Sequence, residues 1–244
     1  MSKNEWQDFS LILKEILKLD LSPVAIRCAK AEGLDNVKKK IRICRAILDA
    51  AKGESLAIYK ENNLCFGAAW HLGFHNIKNP RVLKMTRKFV VEGEKLFCSY
   101  EALDKLISQM EDVPDNSANC FLLTPLEKTE NLPELVIVVC NPEQACRLLT
   151  LATFVDGIMP KIKIGGPTCR MAIMYPLLTG NLNLSFYDYT ARKLCNMESD
   201  KLLISIPYGK MPLIVESLNK CSAGTAKIEY PQEFREFLQK RLTP

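Results

Sequence analysis

Ten cysteines stand in this chain of 244 residues, and no two of them form a C-x-x-C pair. The chemistry on offer is therefore thiolate chemistry taken one residue at a time: metal or cluster ligation, redox, or nucleophilic attack. Cys28, Cys120, Cys140 and Cys146 fall inside apolar runs or helix stripes, where free cysteine serves as a small hydrophobe. Cys44 also lies on an apolar helix stripe, with Val37, Ile41, Leu48 and Ala51. Cys65 and Cys169 differ. Cys65 follows Asn62-Asn63-Leu64 and Cys169 follows Gly165-Gly166-Pro167-Thr168, and each then leads into an apolar, helical segment. A thiol at a helix start has a lowered pKa and serves as ligand or nucleophile.

The chain holds two histidines, His71 and His75, spaced i, i+4 beside Cys65. On a helix they share a face, and with Cys65 they suit a zinc-stabilised domain. Leu72 follows His71, so the H-E-x-x-H pattern of a catalytic zincin is excluded. Walker A, G-x-G-x-x-G and G-x-S-x-G are absent, which leaves a Cys–His nucleophile as the hydrolytic option. The Gly165-Gly166 turn and the Asn141-Pro142-Glu143 turn each precede a helix start, where backbone amides favour anions and where ordinary turns and caps also occur.

The elements that must position these residues follow from hydrophobic period. Helical spacing covers residues 6–19, 35–51 (capped by Asp35), 65–74, 101–111, 142–154, 211–219 and 234–242. Strand patterns cover 21–28, 54–60, 120–125, 161–164, 182–187 and 202–206, and the continuous apolar run 135–140 reads as a strand buried on both faces. The stretch carrying Cys169 is predicted to be helical and broken near Pro176. Helices and strands alternate from residue 120 onward. This predicts an α/β domain, with α+β as the alternative, built on a mixed β-sheet flanked by helices. One compact domain over 1–244 is expected, with a helical insertion at about 76–117.

Composition is ordinary, 48% hydrophobic and 25% charged, with a net charge of +5. Lys38, Arg42 and Arg45, with Lys39 beside them, read as a solvated helix face; no aromatic residue interleaves them to stack bases, so no nucleic-acid partner is expected. No apolar run approaches the ~20 residues of a membrane span, so no membrane partner is expected either. A soluble, cytoplasmic protein with reduced thiols is expected, assembled as a twofold homo-oligomer.

The chain resembles the domain of unknown function 169 family, the uncharacterised ArCR group, over nearly its whole length. The matching pieces are S-P-V-A-I at 22–26, I-C-R-A-I-L-D-A-A-K-G-E at 43–54 and C-F-G-A-A-W-H-L-G-F at 65–74. T-P-L at 124–126, V-V-C-N-P-E-Q-A at 138–145, P-T-C at 167–169, L-T-G-N-L-N-L-S at 178–185 and S-I-P at 205–207 complete them. The resemblance implies cysteine at Cys44, Cys65 and Cys169. It also implies a G-C-x-G-C-R element after the L-T-G segment. This chain reads F-Y-D-Y-T-A-R there, with Asp188 and Ala191 in the cysteine places, Arg192 kept, and Cys195 following.

On that resemblance, three thiolates from distant segments and a fourth ligand of another type suit a 4Fe–4S cluster with redox or Lewis-acid function. The fourth ligand is Asp188, Cys195 or an exogenous group. Arg192 and the Asn141 turn are expected to hold a small anionic ligand nearby, and an electron-transfer partner is the other implied contact. The alternatives are a metal-free small-ligand-binding domain with core cysteines and the zinc-stabilised domain.

Overall fold

The structure is a computed structural model that describes residues 3–29, 39–74, 80–114 and 120–242. In chain order its elements are α1 (Lys3–Leu17), β1 (Val24–Ala29), α2 (Ile43–Ala51), β2 (Leu56–Tyr59), α3 (Phe66–His71), α4 (Pro80–Lys88) and α5 (Tyr100–Ile107). They continue with β3 (Cys120–Pro125), β4 (Leu135–Cys140), α6 (Pro142–Thr153), α7 (Tyr175–Thr179), β5 (Asn183–Ser185), α8 (Tyr189–Cys195), β6 (Leu202–Pro207), α9 (Met211–Ser217) and α10 (Gln232–Leu242). Two π-helical turns stand at Phe89–Gly93 and Arg170–Met174.

The six strands make one sheet in the order β2-β3-β1-β4-β6-β5. As expected, it is an α/β arrangement with helices on the sheet's flanks, but its ladders are all antiparallel rather than mixed. The reason is a single insertion. β4 and β5 run the same way with α6 and α7 between them, as a crossover unit would. β6 then enters between the two and pairs antiparallel with both.

Side chains alternate across the pleat, and two cores result. Val24, Ile26, Leu135, Ile137, Val139 and Leu203 face one layer, with α2, α3, the second π turn and α8. Ala25, Val136, Val138, Cys140, Ile204 and Ile206 face the other, with α1, α6 and α9. β4 is buried along its full length, as its unbroken apolar run predicts, and each such Leu, Ile or Val contributes roughly 1.5–3 kcal/mol.

Three sequence expectations are corrected. The helix expected over 35–51 begins at Ile43; Asp35 lies outside the described residues, Ile41 is held in a β-bridge and Arg42 is extended. The stretch 161–164 is not a strand. The side chain of buried Asn183 takes the place of a neighbouring ladder, accepting from Lys163 N–H at 2.8 Å and donating to its carbonyl at 3.0 Å. The helical stretch after Cys169 does not break at Pro176, because the missing N–H falls where the register changes from the π turn to α7. Among the described residues, no helix is long and apolar enough to cross a membrane.

Candidate functional site: a thiol-lined cavity

Two hydrogen-bonded staples bring the sulfur-bearing segments together. The first joins the approaches to α2 and α3. Ile41 and Asn63 form an isolated parallel bridge, in which Ile41 N–H donates to the Asn62 carbonyl at 3.0 Å and Leu64 N–H to the Ile41 carbonyl at 3.1 Å. Asparagine suits this turn because its amide imitates backbone. Buried Asn62 accepts from Tyr59 N–H and donates to the Ala57 carbonyl, both at 2.8 Å. From the bridge the chain turns one way into α2, with Cys44 in the first turn, and the other way into α3, with Cys65 as the N-cap residue.

The second staple joins Thr168 to Asp188. Asp188 Oδ2 accepts from Thr168 N–H at 3.0 Å and from its hydroxyl at 2.8 Å, while Asp188 N–H donates to Thr168 Oγ1 at 2.8 Å. Asp188 Oδ1 accepts from Ala191 N–H at 2.8 Å and so caps α8. The G-G-P-T turn reaches this staple through Gly165, whose φ of 96° is open to glycine and strained for other residues. Cys169 then enters the second π turn.

Cys44, Cys65, Cys169 and Asp188 line one cavity of about 350 Å³. The sequence marked Cys65 and Cys169 by their chain breaks, and both are indeed helix-entry residues. Cys44 is one as well, which the helix expected from residue 35 concealed.

Their electrostatics are those of crowded acids. Burial pushes the Cys169 thiol well above its ordinary range, and Cys65, Asp188 and Cys44 add to the shift while Arg170 opposes it. Burial also raises Cys65, with Cys44 and Asp188 adding, and Ala68 N–H and the Arg42 guanidinium opposing. Ala68 N–H donates to Cys65 Sγ at 3.3 Å. Cys44 and Cys195 act as a pair: the Cys195 side chain and burial raise the Cys44 pKa, and the Cys44 side chain lowers that of Cys195, helped by Arg45 and Arg42. The site thus gathers groups that repel one another once ionised, and a bound cationic centre would relieve that repulsion.

The other predicted residues go elsewhere. Asn141 forms a capping box with Gln144 at the start of α6. Arg192 donates to the carbonyls of Glu198, Ser199 and Lys201. Neither is among the residues lining the cavity. Cys120 and Cys140 are buried core thiols and Cys28 is half-buried, but Cys146 lies on the exposed face of α6. His71 lines the cavity with Cys65, while His75 lies outside the described residues. Among the described residues, no group of three or more His, Cys, Asp or Glu side chains is placed to hold a single metal ion.

Sequence reasoning missed Arg42. Read as one of a solvated basic face, it is the N-cap of α2 and lines the cavity, whereas Arg45 and Lys39 pair with Asp49 at 2.7 and 3.3 Å. It also missed the cavity's apolar wall, formed by the first π turn and α5 within the expected insertion. Amphipathic spacing in 101–111 was the available signal.

A family model matches residues 12–217, that of the domain of unknown function 169 family, described as uncharacterised ArCR. No curated protein and no solved structure matches the chain.

Proposed function

As a member of the domain of unknown function 169 family, the chain carries a cavity whose thiols call for a function, and we propose that it is an iron–sulfur protein. Cys44, Cys65 and Cys169 would hold a 4Fe–4S cluster, with the fourth position left to Asp188, Cys195 or an exogenous group.

The observation that carries this reading is convergence: three cysteines from segments far apart in sequence line one cavity, where Cys44 raises the pKa of Cys65 and both raise that of Cys169. The donor set fits, since thiolates are the usual cluster ligands. Zinc through Cys65 and His71 has two described donors.

Bound there, the cluster supplies electron transfer or, through an iron without a thiolate, Lewis acidity. The chain's own groups tune it. Ala68 N–H donates to the Cys65 sulfur, and such bonds to ligand sulfur set potential. Arg42 places positive charge beside the thiolates, and the apolar wall keeps water away. Asp188 already accepts three hydrogen bonds, which leaves about one of its roughly four lone-pair sites. Its first duty is to hold Cys169 in place.

The test replaces Cys44, Cys65 and Cys169 by serine one at a time and measures iron and acid-labile sulfide after anaerobic purification. Each variant is expected to lose most of its iron, with Cys146→Ser as the unaffected control. Unchanged iron in all three variants contradicts the proposal.

A further inference from the structure

Arg170 follows Cys169 directly and opens the second π turn. Its backbone is fixed by the G-G-P-T turn, because Arg170 N–H donates to the Pro167 carbonyl at 3.0 Å. The residue is only 2% exposed. Arginine keeps its charge at any ordinary pH, and a buried charge is costly unless an opposite charge meets it.

The protein supplies little to meet this one. Arg170 Nη1 donates to the Glu111 carbonyl at 3.0 Å, a neutral acceptor. Nε is buried and has no acceptor. Among the described residues the guanidinium forms no ion pair; the Glu111 carboxylate pairs instead with Lys163 at 2.6 Å.

The acid that answers it most strongly is a cavity thiol. Burial lowers the Arg170 pKa, and Cys169 opposes that fall ahead of Glu111 and Asp112. At Cys169 the relation is reciprocal: burial, Cys65, Asp188 and Cys44 raise the pKa, and Arg170 works against them. Cys169 lines the cavity and Arg170 does not. The guanidinium therefore touches nothing in the cavity and acts through its neighbour, from inside the protein, where water screens it little.

We infer that Arg170 is the buried counter-charge of the Cys169 thiolate, a positioning residue that keeps this sulfur available as a ligand and raises the reduction potential of the centre it helps to hold. This rests on the iron–sulfur reading and names the residue that tunes it. Reduction adds one negative charge to such a centre, so a buried positive charge beside one of its ligands favours the reduced form. Net charge is among the factors that set cluster potentials.

Arg170→Met removes the charge and keeps an unbranched side chain; Arg170→Lys keeps the charge. Both are compared with the wild type, after anaerobic reconstitution, by iron content and by redox titration followed through visible absorption. Arg170→Met is expected to lower the midpoint potential by about 59 mV, a tenfold shift of the one-electron equilibrium toward the oxidised form. Arg170→Lys is expected to shift it by less than half as much. An unchanged potential in iron-loaded Arg170→Met, or an equal fall in Arg170→Lys, overturns the inference. A purely structural role through the Glu111 carbonyl would lower the urea midpoint of both variants and leave the potential where it was. Should Arg170→Met fold without holding iron, iron content decides: recovery in Arg170→Lys supports the inference, and a lysine variant as empty as the methionine one overturns it. Should Arg170→Met not fold, Arg170→Gln takes its place in the same comparison. A wild type without iron removes the cluster proposal and this one with it, whereas iron-loaded proteins of equal potential remove this one alone.

Discussion

Replacing Asp188 by alanine severs the staple that holds the Cys169 turn. Ala191 N–H loses its cap, a loss of about 0.5–2 kcal/mol. Thr168, which is 1% exposed, keeps an N–H with no acceptor, at about 1–3 kcal/mol. The expected destabilisation is about 2–4 kcal/mol. Urea titration should show a lower midpoint at unchanged slope. Thr168→Val removes the hydroxyl from the same network, so the double variant should lose clearly less than the sum, with a coupling of about 1 kcal/mol. Both single variants should also lower bound iron, because each loosens Cys169. A loss below about 0.5 kcal/mol in Asp188→Ala, or no coupling to Thr168, would refute the staple. Lost iron with unchanged stability in Asp188→Ala alone would make the carboxylate a ligand and not an anchor.

Three other outcomes are expected. His71 is held neutral in the fold, with its pKa lowered from 6.5 to about 3, so the unfolded chain binds the extra proton between those values. Its contribution is complete above pH ~6.5, is lost by at most about 1.4 kcal/mol per unit as pH falls, and levels off below pH ~3; His71→Phe should flatten the stability–pH curve over that window. Asn183→Leu should cost about 2–5 kcal/mol by chemical denaturation, since it orphans Lys163 N–H and the carbonyls of Lys163 and Met171. Asn141→Ala should cost about 1 kcal/mol through the α6 cap and leave iron content unchanged.

What could be read from the chain divides along physical lines. Strand β4 and helix α6 were legible because burial on both faces and an Asn-Pro-Glu start are local signals. The extent of α2 was not, because the apolar spacing continues upstream of Ile43 while Ile41 is held extended by its bridge to Asn63. The same bridge explains why Arg42 looked like a surface residue. Sheet direction depended on β6 entering between β4 and β5, a long-range event with no local signature. Lys161–Ile164 has a strand's composition, yet a single asparagine side chain satisfies the Lys163 backbone. Cys44 was singled out with Cys65 and Cys169 only through the family resemblance, because periodicity assigned it to packing.

Cys44, Cys65 and Cys169 are proposed to hold an inorganic centre. Iron and acid-labile sulfide analysis of the anaerobically purified protein, with its visible absorption, tests this most directly. About four irons and four sulfides per chain are expected, with broad absorption that bleaches on reduction. A colourless protein without iron or sulfide, before and after anaerobic reconstitution, would contradict it.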